Sequence, residues 1–151
     1  MQKLAQDRAV QREAWRQLTP PDVVVEGEGA DDVVSVQEPS PAFDGQMWRG
    51  IGVSSGRVTA VARTIHHPGE GMRRGHGEIL GAPSTDPGWT PLFVRASAVV
   101  METGGYLSHG AIVAREYGLP AVVNIPDILD HIKGGETPTV DGDAATVERV
   151  R

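Results

Sequence analysis

His109 stands between two steps of small residues, Gly104-Gly105 ahead of it and Gly110-Ala111 behind it, with Ser108 immediately upstream. The order predicts a helix over 108–117, capped by Ser108 and closed by Gly118, with His109 in its first turn. Backbone N–H groups are unpaired in a first turn, and the aligned peptide dipoles place about half a positive charge there. A phosphoryl dianion suits such a place. A neutral imidazole there offers a ring nitrogen as a nucleophile. The small neighbours leave open space around the ring for a bulky attacking group. On spacing alone a histidine at a helix start is more often one that only caps or decorates it, and both readings stand at this point.

No other chemistry competes strongly. The chain has no cysteine, which excludes disulfides, thiolate metal sites and cysteine nucleophiles. His66, His67 and His76 lack well-spaced carboxylates and read as loop histidines, so no metal site is expected. Arg115 lies six residues past His109, roughly 240° around a helix, and is expected to point elsewhere and form an ion pair. Trp89, in a Pro-Gly turn, fits either a core position or a contact with a partner domain. A formal charge of −6 argues against a nucleic-acid or anionic-membrane surface. No apolar run approaches the roughly 20 residues of a spanning helix, and residues 1–7 lack the apolar centre of a signal peptide. A soluble, cytoplasmic protein is the expectation.

The elements that must position His109 follow from the 151 residues around it. Hydrophobic residues at 39%, with nineteen glycines and eleven prolines, predict one globular core of short elements rather than a helical bundle. Residues 1–18 read as a helix with Leu4, Val10, Ala14 and Leu18 on a narrow stripe, stopped by Thr19-Pro20-Pro21. Between Asp22 and Asp44 there are seven acidic residues and no Lys or Arg. That composition predicts a linker, with an added edge strand from Val23-Val24-Val25 as the other possibility. The organisation expected is a connector helix over 1–20, an acidic linker over 21–47 and a compact domain over 48–151.

Within the compact domain, 50–56 reads as turns and 57–65 as one strand. A second short strand covers 78–80, and Thr90 caps a short helix with Pro91 at its first position. Ala98-Val99-Val100-Met101 and Ala121-Val122-Val123 read as strands covered on both faces. Pro126 opens a further short helix, and Asp141-Gly142 marks a closing hairpin. The class is mixed α/β, with sheets and helices in layers.

The run from Gly104-Gly105-Tyr106-Leu107-Ser108-His109-Gly110 through Ala114-Arg115-Glu116-Tyr117-Gly118-Leu119-Pro120-Ala121 resembles the phosphohistidine signature of the PEP-utilising enzyme mobile domain. The resemblance extends over about 50–150. It includes Thr85-Asp86-Pro87-Gly88-Trp89-Thr90-Pro91, which is most similar to the phosphoenolpyruvate synthase and rifampicin phosphotransferase branch. Residues 1–21 are similar to the helical connector of that branch. Ala60 and Ala145 stand where the family usually has glycine, and Gly81 where it has an aliphatic residue.

The resemblance implies a swivelling phosphohistidine domain, a layered β/β/α sandwich with a short N-terminal helical extension. It implies that His109 is the phosphoryl-accepting nucleophile, with Gly104, Gly105, Ser108 and Gly110 supporting the phosphate. The donor would be ATP, held with Mg on a separate ATP-grasp domain, or PEP. The acceptor, such as pyruvate or an antibiotic, would lie on another domain of the same parent chain or of a separate subunit. No cofactor is expected on this chain, which has no room for an ATP-grasp domain or an acceptor barrel and is not a complete phosphotransferase. A non-catalytic interaction module that keeps the fold is the alternative.

Overall fold

The computed structural model of the chain describes residues 2–16, 24–26, 33–35, 45–73 and 75–150. It divides into two compact units, Met1–Glu38 and Pro39–Arg151. In the first unit α1 (Gln2–Arg16) is made of strong helix formers, and residues 17 and 18 of the predicted helix lie outside the described residues. Val10, on its predicted apolar stripe, is exposed. β1 (Val24–Glu26) pairs antiparallel with β2 (Val33–Ser35), Val25 opposite Val34. The described valines of the acidic stretch therefore pair with each other in a two-stranded sheet. Thr19-Pro20-Pro21 lies outside the described residues.

The second unit contains two sheets. β3 (Met47–Arg49) opens the unit, and β4 (Ile51–Ser54) lies where turns are expected over 50–56. The strand expected over 57–65 is broken into β5 (Arg57–Thr59) and β6 (Ala62–Thr64), which serve different sheets. Thr59 pairs with Thr139 in one, whereas Ala62 pairs with Ile79 in the other. No glycine or proline marks the switch, because the backbone changes hydrogen-bond partners without needing a special dihedral: Ala60 N–H donates to the Pro138 carbonyl and Ile79 N–H to the Val61 carbonyl.

β7 (Glu78–Ala82), α2 (Thr90–Phe93), β8 (Ala96–Met101), α3 (His109–Tyr117), β9 (Ala121–Val123), α4 (Ile128–His131), β10 (Pro138–Asp141) and β11 (Thr146–Arg149) complete the unit. One sheet has the order β3-β11-β10-β5 and is antiparallel throughout. The other has the order β4-β9-β8-β7-β6, with β6 to β9 parallel and β4 an antiparallel edge.

Side-chain alternation along the parallel strands divides the core into two layers. Leu80, Val99, Met101, Ala121 and Val123 pack with Trp89, Phe93, Ala111 and Ala114 under the helices. Ile79, Ala98, Val100 and Val122 face the opposite way, onto Val140 and Val147 of the four-stranded sheet. Continuous apolar runs suit strands that bury both faces. The layering is β/β/α. Trp89 is 3% exposed, which makes it a core residue. Gly81 leaves room for Leu129, whose Cδ2 would lie 3.0 Å from an added Cβ.

The starts of the two short helices differ in detail from the expectation. The chain enters α2 through a 3-10 turn over Pro87–Trp89, and the cap is Asp86, whose Oδ1 accepts from Gly88 N–H at 2.8 Å, not Thr90. At the other short helix, Asp127 occupies the cap position with φ of 59° but makes no side-chain bond there. Glu102 Oε1 instead accepts from Leu129 N–H at 3.2 Å.

The closing hairpin forms, with Asp141 Oδ1 accepting from the N–H groups of Asp143 and Ala144. Ala145 completes its turn at φ 57°, in the left-handed region where a Cβ is crowded. Ala145→Gly is expected to raise stability by about 1 kcal/mol, the order of the left-handed penalty less the extra freedom of unfolded glycine. Urea denaturation checks this; a midpoint at or below wild type contradicts it.

Candidate functional site: the histidine at the ends of the parallel strands

Parallel sheets form crevices beyond the carboxyl ends of their strands. Here the loops leaving β7 and β8 are tied together, with Thr103 N–H and Thr103 Oγ1 both donating to the Pro83 carbonyl at 3.1 Å. The first loop carries Thr85 and the second delivers His109 at the start of α3.

Ser108 occupies the N-cap position with extended backbone, φ −66° and ψ 153°. Its hydroxyl does not cap the helix as expected. It donates back to the Gly105 carbonyl at 2.8 Å, parallel to the Ser108 N–H bond to the same oxygen. The serine therefore folds the loop onto itself and places no side-chain oxygen over the first-turn N–H groups. Gly118 closes the helix in the left-handed region, as predicted.

His109 is half-buried. Its Nδ1 lies 3.3 Å from Thr85 Oγ1, and its ring meets Phe93 edge-on at 6.2 Å. Thr85 Oγ1 also donates toward Met101 Sδ at 3.7 Å. Gly110 is buried against the same pair: an added Cβ would fall 2.6 Å from Met101 Sδ and 2.7 Å from Thr85 Oγ1. The space it leaves is thus filled from below by Met101 and Thr85, and does not widen the approach to the ring. The sequence by itself assigns Thr85 no role at the site. Its signals are its place ahead of Asp86-Pro87-Gly88 and at the start of the family-like segment 85–91, and that stretch reads as a turn until β7 is known to lie beside β8.

Arg115 corrects another expectation. Its guanidinium donates to two backbone carbonyls, Tyr106 at 2.7 Å and Val53 at 3.1 Å, and among the described residues to no carboxylate. It clamps the histidine loop to β4 from the far end of α3. Tyr106 and Leu107, on that loop, are exposed. His66, His67 and His76 are exposed and outside the site. Among the described residues no group of three or more His, Asp or Glu is placed to hold a metal ion.

Residues 75–145 match the family described as PEP-utilising enzyme, mobile domain, a span that contains Thr85, Met101 and the whole histidine loop. The chain carries a PEP-utilising enzyme mobile domain. It is 39% identical to rifampicin phosphotransferase of Bacillus cereus over 134 residues, 89% of this chain and 15% of that protein. It is 45% identical to phosphoenolpyruvate synthase of Aeropyrum pernix over 96 residues, 64% of this chain and 11% of that protein. The chain therefore spans less than a sixth of either relative. A chain of Thermococcus kodakaraensis aconitase X has the same fold at 16% identity and a TM-score of 0.56, covering 71% of this chain and all of that one. No described helix is long and apolar enough to cross a membrane.

The two glycines of the mobile domain's loop do different work. Gly104 has φ 126° and an added Cβ would sit 3.0 Å from Ser108 Oγ, while Gly105 has nothing within 4 Å. Gly104→Ala is expected to cost about 1–2 kcal/mol. Gly105→Ala should stay within about 0.5 kcal/mol of wild type. Chemical denaturation of both variants checks the contrast; equal losses contradict it.

Proposed function

We propose that this mobile domain is a phosphoryl carrier and that His109 is its acceptor. The observation that carries the reading is the pairing of Thr85 with Nδ1 of a half-buried imidazole at the head of a nine-residue helix. With Nδ1 engaged, Nε2 is the nitrogen open to reaction. Its lone pair attacks the phosphorus of the donor, a P–N bond forms, and the donor's P–O bond breaks with its electron pair leaving on oxygen. In the return step an acceptor oxygen attacks phosphorus and the P–N electron pair goes back to the ring. First-turn N–H groups left without a serine cap are available to the phosphoryl oxygens. Ser108, Gly104 and Gly105 shape the loop that presents the ring, and Arg115 anchors it.

Donor and acceptor belong to other domains. An ATP-grasp domain with Mg, or PEP, would supply the phosphoryl group. Pyruvate or an antibiotic of the rifampicin class would receive it, in keeping with the names of the two relatives. A domain that takes up a group at one site and gives it up at another must move between them, which fits a short share of a long parent protein.

The test is to incubate the chain with the nucleotide-binding domain of its parent protein or gene neighbour and γ- or β-labelled ATP, and in parallel with labelled PEP. Acid-labile, base-stable label is expected on wild type from one donor. It should be lost in His109→Gln, with the fold unchanged by circular dichroism. Equal labelling of wild type and variant would overturn the assignment, and stable co-purification without labelling by either donor would favour an interaction module.

A further inference from the structure

We infer that Met101 is a positioning residue that selects the His109 ring tautomer through the hydroxyl of Thr85. Thr85 has one hydroxyl proton and two neighbours within hydrogen-bonding distance, Met101 Sδ at 3.7 Å and His109 Nδ1 at 3.3 Å. A thioether sulfur only accepts. Both contacts are therefore hydrogen bonds together in one arrangement: the hydroxyl donates to Met101 Sδ and accepts from an Nδ1–H. The ring then carries its proton on Nδ1, and Nε2 keeps its lone pair. If the hydroxyl turned to donate to Nδ1, the proton would sit on Nε2 and the sulfur contact would be lost.

The packing holds the sulfur in place for this task. Met101 is 1% exposed, at the end of a central strand, so no water competes for the hydroxyl from that side. Gly110 admits it, since any Cβ there would collide with the sulfur. A methionine is otherwise a flexible gap filler. Here a glycine in the helix next to the histidine is matched to it, which gives the pair a role besides filling space.

The consequence for phosphoryl transfer rests on the carrier reading, but the tautomer can be measured without any donor. The 151-residue chain, labelled with 15N in its imidazole rings, is studied by long-range proton–nitrogen correlation at a pH where His109 is neutral. The Nδ1–H form should dominate in wild type. Met101→Leu keeps the volume and removes the acceptor. It should shift the ratio toward Nε2–H by about fivefold, the worth of one neutral hydrogen bond. Thr85→Val should also abolish the bias, and Thr85→Ser should retain it. Labelling of Met101→Leu by ATP or PEP should slow by a similar factor.

A wild type dominated by Nε2–H overturns the inference, as does an unchanged ratio in Met101→Leu. The wild-type spectrum alone decides if the substitution disturbs folding. If the ratio shifts as expected but wild type takes no label, the carrier reading fails and the positioning role stands. If wild type takes label and the ratio does not move, the reverse holds.

Discussion

The parallel pairing of β7 with β8 is the constraint on which the site depends. Ala82 lies beside Met101 in that ladder, so the two strands end together and their loops leave side by side. Thr85 is three residues beyond one end and His109 eight beyond the other. Only the shared end of the ladder, with Thr103 bonded twice to the Pro83 carbonyl, brings them within contact. A register slip would also turn Met101 from the helical layer to the opposite face, because side chains alternate along a strand.

That ladder is stable because both of its faces are covered. The helices α2 and α3 bury one face and the four-stranded sheet buries the other. Each fully buried valine or isoleucine there contributes on the order of 1.5–3 kcal/mol relative to exposure. The loop above it is held by directed bonds instead: Ser108 to Gly105, and Arg115 to Tyr106 and Val53. A rigid floor under a loop bonded to itself gives one placement of the imidazole, while Tyr106 and Leu107 remain exposed beside it. The same division of labour suits a group that must be presented to more than one surface.

The hydrogen bonding seen at the His109 ring starts from one hydroxyl. One threonine hydroxyl meets the ring, one sulfur meets that hydroxyl, and Phe93 packs on the ring in a T-shaped arrangement. Backbone N–H groups at the helix start provide positive potential without a charged side chain. Among the described residues Arg115 is the cation nearest in sequence after His109, and its donors are spent on carbonyls.

Much was legible in the sequence where a local cause sufficed. Gly118 ends α3 because only a residue that tolerates positive φ closes a helix that way, and the apolar runs at 98–101 and 121–123 became strands because both faces needed cover. The glycine-flanked His109 could likewise be picked out by type and spacing, and the family signature gave it a task. What the tertiary structure decided was everything that depends on chain segments meeting. The break between β5 and β6 follows from two sheets competing for one stretch, with no breaker residue at the join. Arg115 turned to carbonyls because its loop and β4 are close in space, and Ser108 turned back to Gly105 because Gly104 bends the loop under it. Thr85 and Met101 are 24 and 8 residues from His109. No local propensity links them, so the chain of contacts from Met101 through Thr85 to the imidazole appears only when two strands are laid side by side.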